Sequence, residues 1–349
     1  MRGALPELQT FLPRWVERLE RFGPPKGDWE SDHERWLREA RFRLDGVPGL
    51  ERLARKTRRP HACLAWYAVL AERGDWPAAL KAAVASAGLV RQSHWRGELL
   101  DGAALAAQEL GRSDLSTRLE AAWRAAPTLT RLVRWLAAGH SGHAVIRVRA
   151  AKAVARCPKT AMRQLGLLRL LRGDVSGAAA LLSKAPGLGW SDPDHPGHAL
   201  FPLFATLLSK TDIDTALLSE LEATAGDPLD GVLNADEGPA PRLGTPSVVA
   251  LIDRARVRSA LTDTDRDAAI DAMRIAAERR VEGILERSRR RHYGHAALLV
   301  ASCVEYAPKR RTAEFVRWAI GLDQQYRRRH AFRTELARAC ERLGVPLPA

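Results

Sequence analysis

The sequence predicts an all-α protein, built as a helical-hairpin repeat array of the TPR-like α-solenoid kind and open to division into two halves. Three observations lead there. The first is a recurring unit in which one helical pattern ends in Gly-Asp or a near equivalent and a second opens on Ala and Leu. Its clearest copies are residues 64–87, LAWYAVLAERGDWPAALKAAVASA, turning at Gly74 and Asp75, and residues 165–185, LGLLRLLRGDVSGAAALLSKA, turning at Gly173 and Asp174. A looser copy over residues 104–127 turns between Gly111 and Asp114. The second is that no period-two alternation of useful length occurs anywhere. The third is the density of Ala on the helical patterns, which lets paired helices approach closely. Gly supplies the left-handed end of one helix and Asp can cap the next. Hairpins of this kind bury their apolar faces by stacking on neighbours, which is the logic of a repeat array.

Residues 1–50 carry Trp15, Trp29 and Trp36, with Pro24 and Pro25 between two short helical patterns. They read as an N-terminal helical cap, because terminal repeats depart from the interior ones. Residues 51–225 read as the hairpin repeats, punctuated at 139–142 and at Cys157-Pro158. Within them PGLGWSDPDHPGH, residues 186–198, breaks the helical rhythm, since its prolines and glycines do not suit a helix interior. That segment predicts an ordered loop ahead of a helix near residues 201–208. Residues 226–247, GDPLDGVLNADEGPAPRLGTPS, read as a linker. Residues 248–349 read as a C-terminal helical region of four or five helices, with a turn over residues 308–311 and one apolar stripe of Phe315, Trp318, Leu322 and Tyr326. Glu286 stands four residues before Arg290, the favourable order for a helical ion pair.

Composition narrows the class. A hydrophobic share of 46% in 349 residues is enough for a sizeable core. No apolar run approaches the roughly 18 to 20 residues that span a bilayer, and Pro6, Glu7, Pro13 and Arg14 interrupt the N-terminal stretch where a signal peptide needs an apolar core. Cytoplasmic residence in a bacterium and no membrane partner are the expectation. The four cysteines, Cys63, Cys157, Cys303 and Cys340, are scattered without a CxxC or CxC pair, so no disulfide framework is expected. Cys303 lies on the stripe Ala296, Leu299, Cys303, Tyr306, and Cys340 on Phe332, Leu336, Cys340, Leu343; both spacings predict buried helix faces.

The net charge is +14, and nearly all of the positive charge is Arg. That bias also follows from a GC-rich genome, so the distribution of charge matters more than its sum. No Asp or Glu occurs between Glu120 and Asp174, and through this stretch run Arg124, Arg131, Arg134, Arg147, Arg149, Lys152, Arg156, Lys159, Arg163, Arg169 and Arg172. Such a surface would attract an acidic protein or phosphates, with Trp123 and Trp135 as potential stacking faces. The plainer alternative is a set of solvated faces, or pairing with the acidic stretch Asp212, Asp214, Glu220, Glu222, Asp227, Asp230, Asp236 and Glu237.

Histidine pairs at i and i+3 occur at His140 and His143, His195 and His198, and His292 and His295. Only the second has carboxylates beside it, and Asp192, Asp194, His195 and His198 form the one weak candidate for a metal site. A loop fastened by side-chain hydrogen bonds is the simpler reading. Phosphate-loop, dinucleotide, nucleophile-elbow and HExxH patterns are all missing from the sequence, and neither a cofactor nor a catalytic residue is expected.

At residues 289–299, RRRHYGHAALL, then AEFVRW at 313–318 and QYRRRHAF at 325–332, the chain resembles the helical C-terminal region of bacterial SWIM zinc-finger family proteins. The loop at 190–197 is similar to the same proteins more loosely. The family's CxC and CxH motif is missing from this sequence, so the resemblance implies a helical accessory region without the zinc module and transfers no ligand residue. It also implies membership of a multiprotein assembly. The expected function is a non-catalytic scaffold binding a protein partner, acidic in character; the alternatives are a nucleic-acid-binding module using the basic surface and, third, a metal-dependent hydrolase.

Overall fold

The computed structural model describes residues 8–22, 27, 29–139, 142–190, 192–222 and 241–345. Among them every regular element is helical, with no strand. The expected linker lies largely outside the described residues, as do His140, Pro24, Pro25 and the acidic residues Asp227, Asp230, Asp236 and Glu237. The chain divides into two compact units, residues 1–127 with 238–243, and residues 128–237 with 244–349. They part between Pro127 and Thr128, within the stretch read as continuous repeats.

Unit 1 contains α1 (Leu8–Glu20), α2 (Asp32–Thr57), α3 (Pro60–Glu72), α4 (Trp76–Leu89), α5 (Ser93–Glu109) and α6 (Leu115–Ala125). Each helix packs on the next. Ala is abundant where they meet: Ala79, Ala82 and Ala106 are fully buried in one core with Cys63, Trp66 and Leu99, and Ala103 and Ala104 are fully buried as well. Gly102 is required by one close approach, since a Cβ there would lie 2.7 Å from the Tyr67 ring. α2 starts with a capping box between Ser31 and Glu34. It is interrupted at Gly46, whose φ of 60° and ψ of −147° are not helical, and Pro48 stands at the start of the segment that runs on past residue 50.

Unit 2 contains α7 (Leu129–Ala137), α8 (His143–Val154), α9 (Met162–Arg172), α10 (Val175–Lys184), α11 (Gly197–Leu208), α12 (Thr215–Glu222), α13 (Val248–Arg254), α14 (Asp263–Glu286), α15 (Tyr293–Glu305), α16 (Thr312–Gln325) and α17 (His330–Arg342). Here neighbours in space are not always neighbours in sequence. α14 packs on α10 and α11 as well as on α15, and α17 packs on α15. The α14 pattern was read as continuing toward Arg290, but the helix ends at Glu286 and Ser288 takes φ 50°, so Glu286 and Arg290 share no helical turn.

The Gly-Asp turns have the expected chemistry. Gly173 closes α9 at φ 91°, and Gly74 follows α3 at φ 70°. Asp75 accepts the Ala78 amide and Asp174 the Gly177 amide, one orphan donor satisfied at each helix start. The looser copy differs: Asp114 precedes α6 but makes no cap bond, because Arg112 and Arg118 hold its carboxylate and depress its pKa to about 2. Cys303 and Cys340 are buried, on faces of α15 and α17.

Candidate interaction surface and the buried histidine loop

Placed on the structure, the basic stretch separates into two kinds of residue. Arg124, Arg147, Lys152, Arg156, Lys159 and Arg172 are exposed; Arg131, Arg134, Arg149 and Arg169 are half-buried; Arg163 is buried. The inner set does structural work. Arg149 donates from one nitrogen to the carbonyls of Trp135, Leu136 and Ala138, closing the C-terminal end of α7 where orphan acceptors otherwise need water. Arg134 donates to Thr245 Oγ1 at 2.7 Å, and Arg169 to the Gly177 carbonyl at 2.8 Å. Arg163 forms an ion pair with Glu222 in which both side chains are almost fully buried. One member of the acidic stretch thus pairs internally with the basic stretch, while Glu220 pairs with Arg342.

The surface that remains centres on α8. Only Ile146, Ala150 and Ala153 of this helix are buried, so its outward side is unusually open. Val148 is 69% exposed, between the exposed Arg147 and Lys152 in sequence, Val145 is 43% exposed one turn earlier, and Met162 opens α9 at 38% exposed. Cationic and apolar groups therefore alternate on one face. Trp123 and Trp135, offered by the sequence as stacking faces, are core residues only 1% and 2% exposed. They cannot meet a base.

The loop before α11 is a packed structure built on Trp190. Its ring lies 4.7 Å from that of His195, 5.8 Å from His198 and 4.9 Å from His295, and the Arg280 guanidinium covers it at 5.6 Å. His195 Nε2 donates to the Pro186 carbonyl at 3.0 Å, while Nδ1 accepts the Gly197 amide at 3.1 Å, which fixes a neutral tautomer. His198 has a carbonyl at each ring nitrogen, Glu222 at Nδ1 and Asp192 at Nε2. Asp192 Oδ1 accepts the Asp194 amide in a local turn. The ring nitrogens of His195 and His198 are thus committed to backbone, and among the described residues no group of three or more His, Cys, Asp or Glu is placed to hold a metal ion. Burial pushes His198 down to about 4 and His295 to about 3, and lowers His195 as well.

Two features of unit 1 carried no sequence signal that was read. Arg59 donates to both carboxylate oxygens of Glu34 and to the carbonyls of Gly27 and Trp29, pinning the segment before α2. A cavity of about 520 Å³ lies beside it, with Leu19, Leu37 and Leu53 among its apolar walls. Its rim charges are already matched, Glu20 by Arg41 and Lys56, and Glu34 by Arg59. No helix among the described residues is long and apolar enough to cross a membrane. Comparison of the chain with protein-family models and with curated proteins found no match.

Proposed function

We propose that this protein is a non-catalytic helical scaffold, its hairpins stacked as a TPR-like array, that docks an acidic protein partner on the outer face of α8. The observation that carries this reading is Val148 and Val145 standing exposed among Arg147, Lys152 and Arg156. Exposed apolar side chains rimmed by charge are what a protein interface uses, with burial for affinity and charge for orientation and encounter rate. An amphipathic helix bearing Leu or Ile on one stripe and Glu or Asp beside it matches the face. The resemblance to SWIM-family accessory regions agrees with a place in a multiprotein assembly, which we retain as part of the proposal.

The runner-up, nucleic-acid binding through the same stretch, loses its two stacking residues to the core and four of its cations to half-buried positions and Arg163 to an internal ion pair. The metal-dependent hydrolase reading has no support from a loop whose imidazoles hold backbone groups. The experiment that separates protein from nucleic acid changes apolar groups and leaves charge alone. Partners captured from cell extract on wild-type protein are compared with those on Val145→Ser, Val148→Ser, and the purified partner is then titrated directly. A protein partner loses about tenfold or more in affinity from the loss of two buried side chains. Unchanged affinity in the double variant, together with loss in Arg147→Glu, Lys152→Glu, would move the assignment to a purely electrostatic ligand.

A further inference from the structure

A second cationic surface lies in unit 2, at the two turns that lead into α15 and α17. No acidic residue occurs between Glu286 and Glu305, or between Asp323 and Glu335. The first gap holds Arg287, Arg289, Arg290 and Arg291, the second Arg327, Arg328 and Arg329, and all seven are exposed. None forms an ion pair among the described residues, in contrast to Arg310, Arg311, Arg333 and Arg342 nearby in sequence. The fold brings the turns together: Arg329 Nη1 lies 3.4 Å from Ser288 Oγ, and Tyr293 meets Phe332 edge to face at 6.1 Å.

Two further observations point the surface toward an anion. α15 and α17, of 13 residues each, both begin here, and neither has a side-chain cap or an acidic residue in its first turn. A helix N-terminus carries partial positive charge, and cations beside it are unfavourable unless an anion offsets them. α2 and α14 show the ordinary solution, a capping box with carboxylates in the first turn. Close enough to Arg289 and His292 to act on their charge, Arg280 packs over Trp190, is only 5% exposed, has no partner for its Nε and donates to the Gly187 carbonyl at 3.3 Å. Burial and the neighbouring Arg289 depress its pKa to about 10. His292, half-buried at the same turn, is lowered by burial and by Arg280, Arg291 and Arg289. Carboxylates border the site, none of them in an ion pair with the seven arginines: Glu335 lies beside Gly294 in the first turn of α15 and pairs with Arg338, while Glu282 and Glu286 act on Tyr326.

We infer that the turns at Arg287–Arg291 and Arg327–Arg329, with the starts of α15 and α17, form a binding surface for the phosphodiester backbone of a nucleic-acid duplex. Chemistry selects this ligand over others. Arginine forks match phosphate oxygens, and helix N-termini contact the backbone without reading sequence. A folded acidic protein would need apolar area, and no large apolar side chain is exposed at these turns. Single strands are favoured by exposed aromatic platforms, but Tyr293 and Phe332 are buried and Tyr326 is half-buried against Phe332. This surface is separate from the α8 face, and each assignment stands or falls alone.

The test is fluorescence anisotropy with a labelled 20-base-pair DNA duplex, its RNA counterpart and the single strands, between roughly 50 and 200 mM salt. About four phosphate contacts predict a log–log slope near −3.6 and a loss of about 10²-fold across that range. Arg289→Gln, Arg290→Gln, Arg291→Gln in one variant, all on the surface, should weaken duplex binding at least tenfold and make the slope shallower by about 0.9 per lost contact, with the circular dichroism spectrum and melting temperature unchanged. Arg147→Gln, Lys152→Gln should bind as wild type. Four outcomes would overturn the inference: no duplex binding at about 50 mM salt, the triple variant matching wild type, the α8 variant losing the binding instead, or poly-glutamate competing better than unlabelled duplex.

Discussion

Acidification should loosen unit 2 through His198. The ring is 1% exposed, and burial together with the Arg163 charge outweighs the Glu222 and Asp192 carbonyls, which favour the charged ring, and holds its pKa near 4, against 6.5 for an ordinary histidine. A depressed histidine pKa means that the folded state prefers the neutral ring. Between about pH 6.5 and 4 the unfolded chain therefore binds a proton that the folded chain refuses, so stability is complete above this window and declines as pH falls through it. The two pKa values give a loss of about 2 kcal/mol on going from pH 7 to pH 5, and about 3 kcal/mol by pH 4. His195 and His295 are lowered in the same direction and add to the effect. The paired carboxylate of Asp174 in unit 2, itself lowered, contributes only toward the acid end. The assay is urea unfolding at pH 7 and pH 5, comparing wild type with His198→Gln, which does not titrate and keeps an N–H donor for one of the two carbonyls. With two compact units, the transition assigned to unit 2 must be resolved before free energies are compared. Wild type should lose about 2 kcal/mol more than the variant over this interval. Identical pH dependence in the two proteins, or a His198 resonance titrating with a midpoint above 6, would refute the argument.

Three other substitutions follow from the packing. Glu222→Gln or Arg163→Met should each destabilise unit 2 by about 3–5 kcal/mol, because one buried charge loses its partner, whereas Arg163→Met with Glu222→Leu should recover most of that loss; additive single effects in a double-mutant cycle would disprove the coupling. Gly187→Ala puts a Cβ 1.9 Å from the Arg279 carbonyl oxygen and should cost at least the upper end of the roughly 1–3 kcal/mol typical of overpacking, while Gly321→Ala, in an open position within α16, should stabilise by about 0.5–1 kcal/mol; thermal melts of the two variants must shift in opposite directions. Arg149→Ala removes the donor to three carbonyls at the end of α7 and should cost about 1–3 kcal/mol, whereas Arg147→Ala on the exposed side of the same helix should stay within about 0.5 kcal/mol by denaturant titration.

What could be read in advance was local. Gly74 and Gly173 announce a left-handed helix end, and Asp75 and Asp174 a cap three residues from the amide they accept, so a short window of sequence contains all the interacting groups. Cys303 and Cys340 were legible for a similar reason, since a helical stripe reports its buried side through spacing alone. Asp114 misled because Arg112 and Arg118 compete for the same carboxylate, and composition does not say which partner prevails. The basic stretch is legible in sequence only as a whole. Helical spacing cannot tell Arg163, which meets a glutamate 59 residues away, from Lys152, which faces outward. Trp190 was visible as part of an ordered loop, but its contact with His295 spans more than a hundred residues and depends on how α11, α14 and α15 pack. The arginine turns at 289–291 and 327–329 were noticed as motifs; that Arg329 would reach Ser288 is a property of the fold.

Asp174 answers to both helices that meet at it. One of its oxygens accepts the Gly177 amide in the first turn of α10 and the other takes the guanidinium of Arg172 at the end of α9. The turn therefore behaves as a joint with two stops, one covalently near each arm, and the angle at which the arms leave it depends on a single carboxylate. In any stack of hairpins small angular errors accumulate with every joint, so curvature is inherited from the turns as much as from the apolar interior. Asn at this position would keep the amide contact and release the arginine. Both helices would remain folded, but the end of α9 would lose its tie to the residue that starts α10.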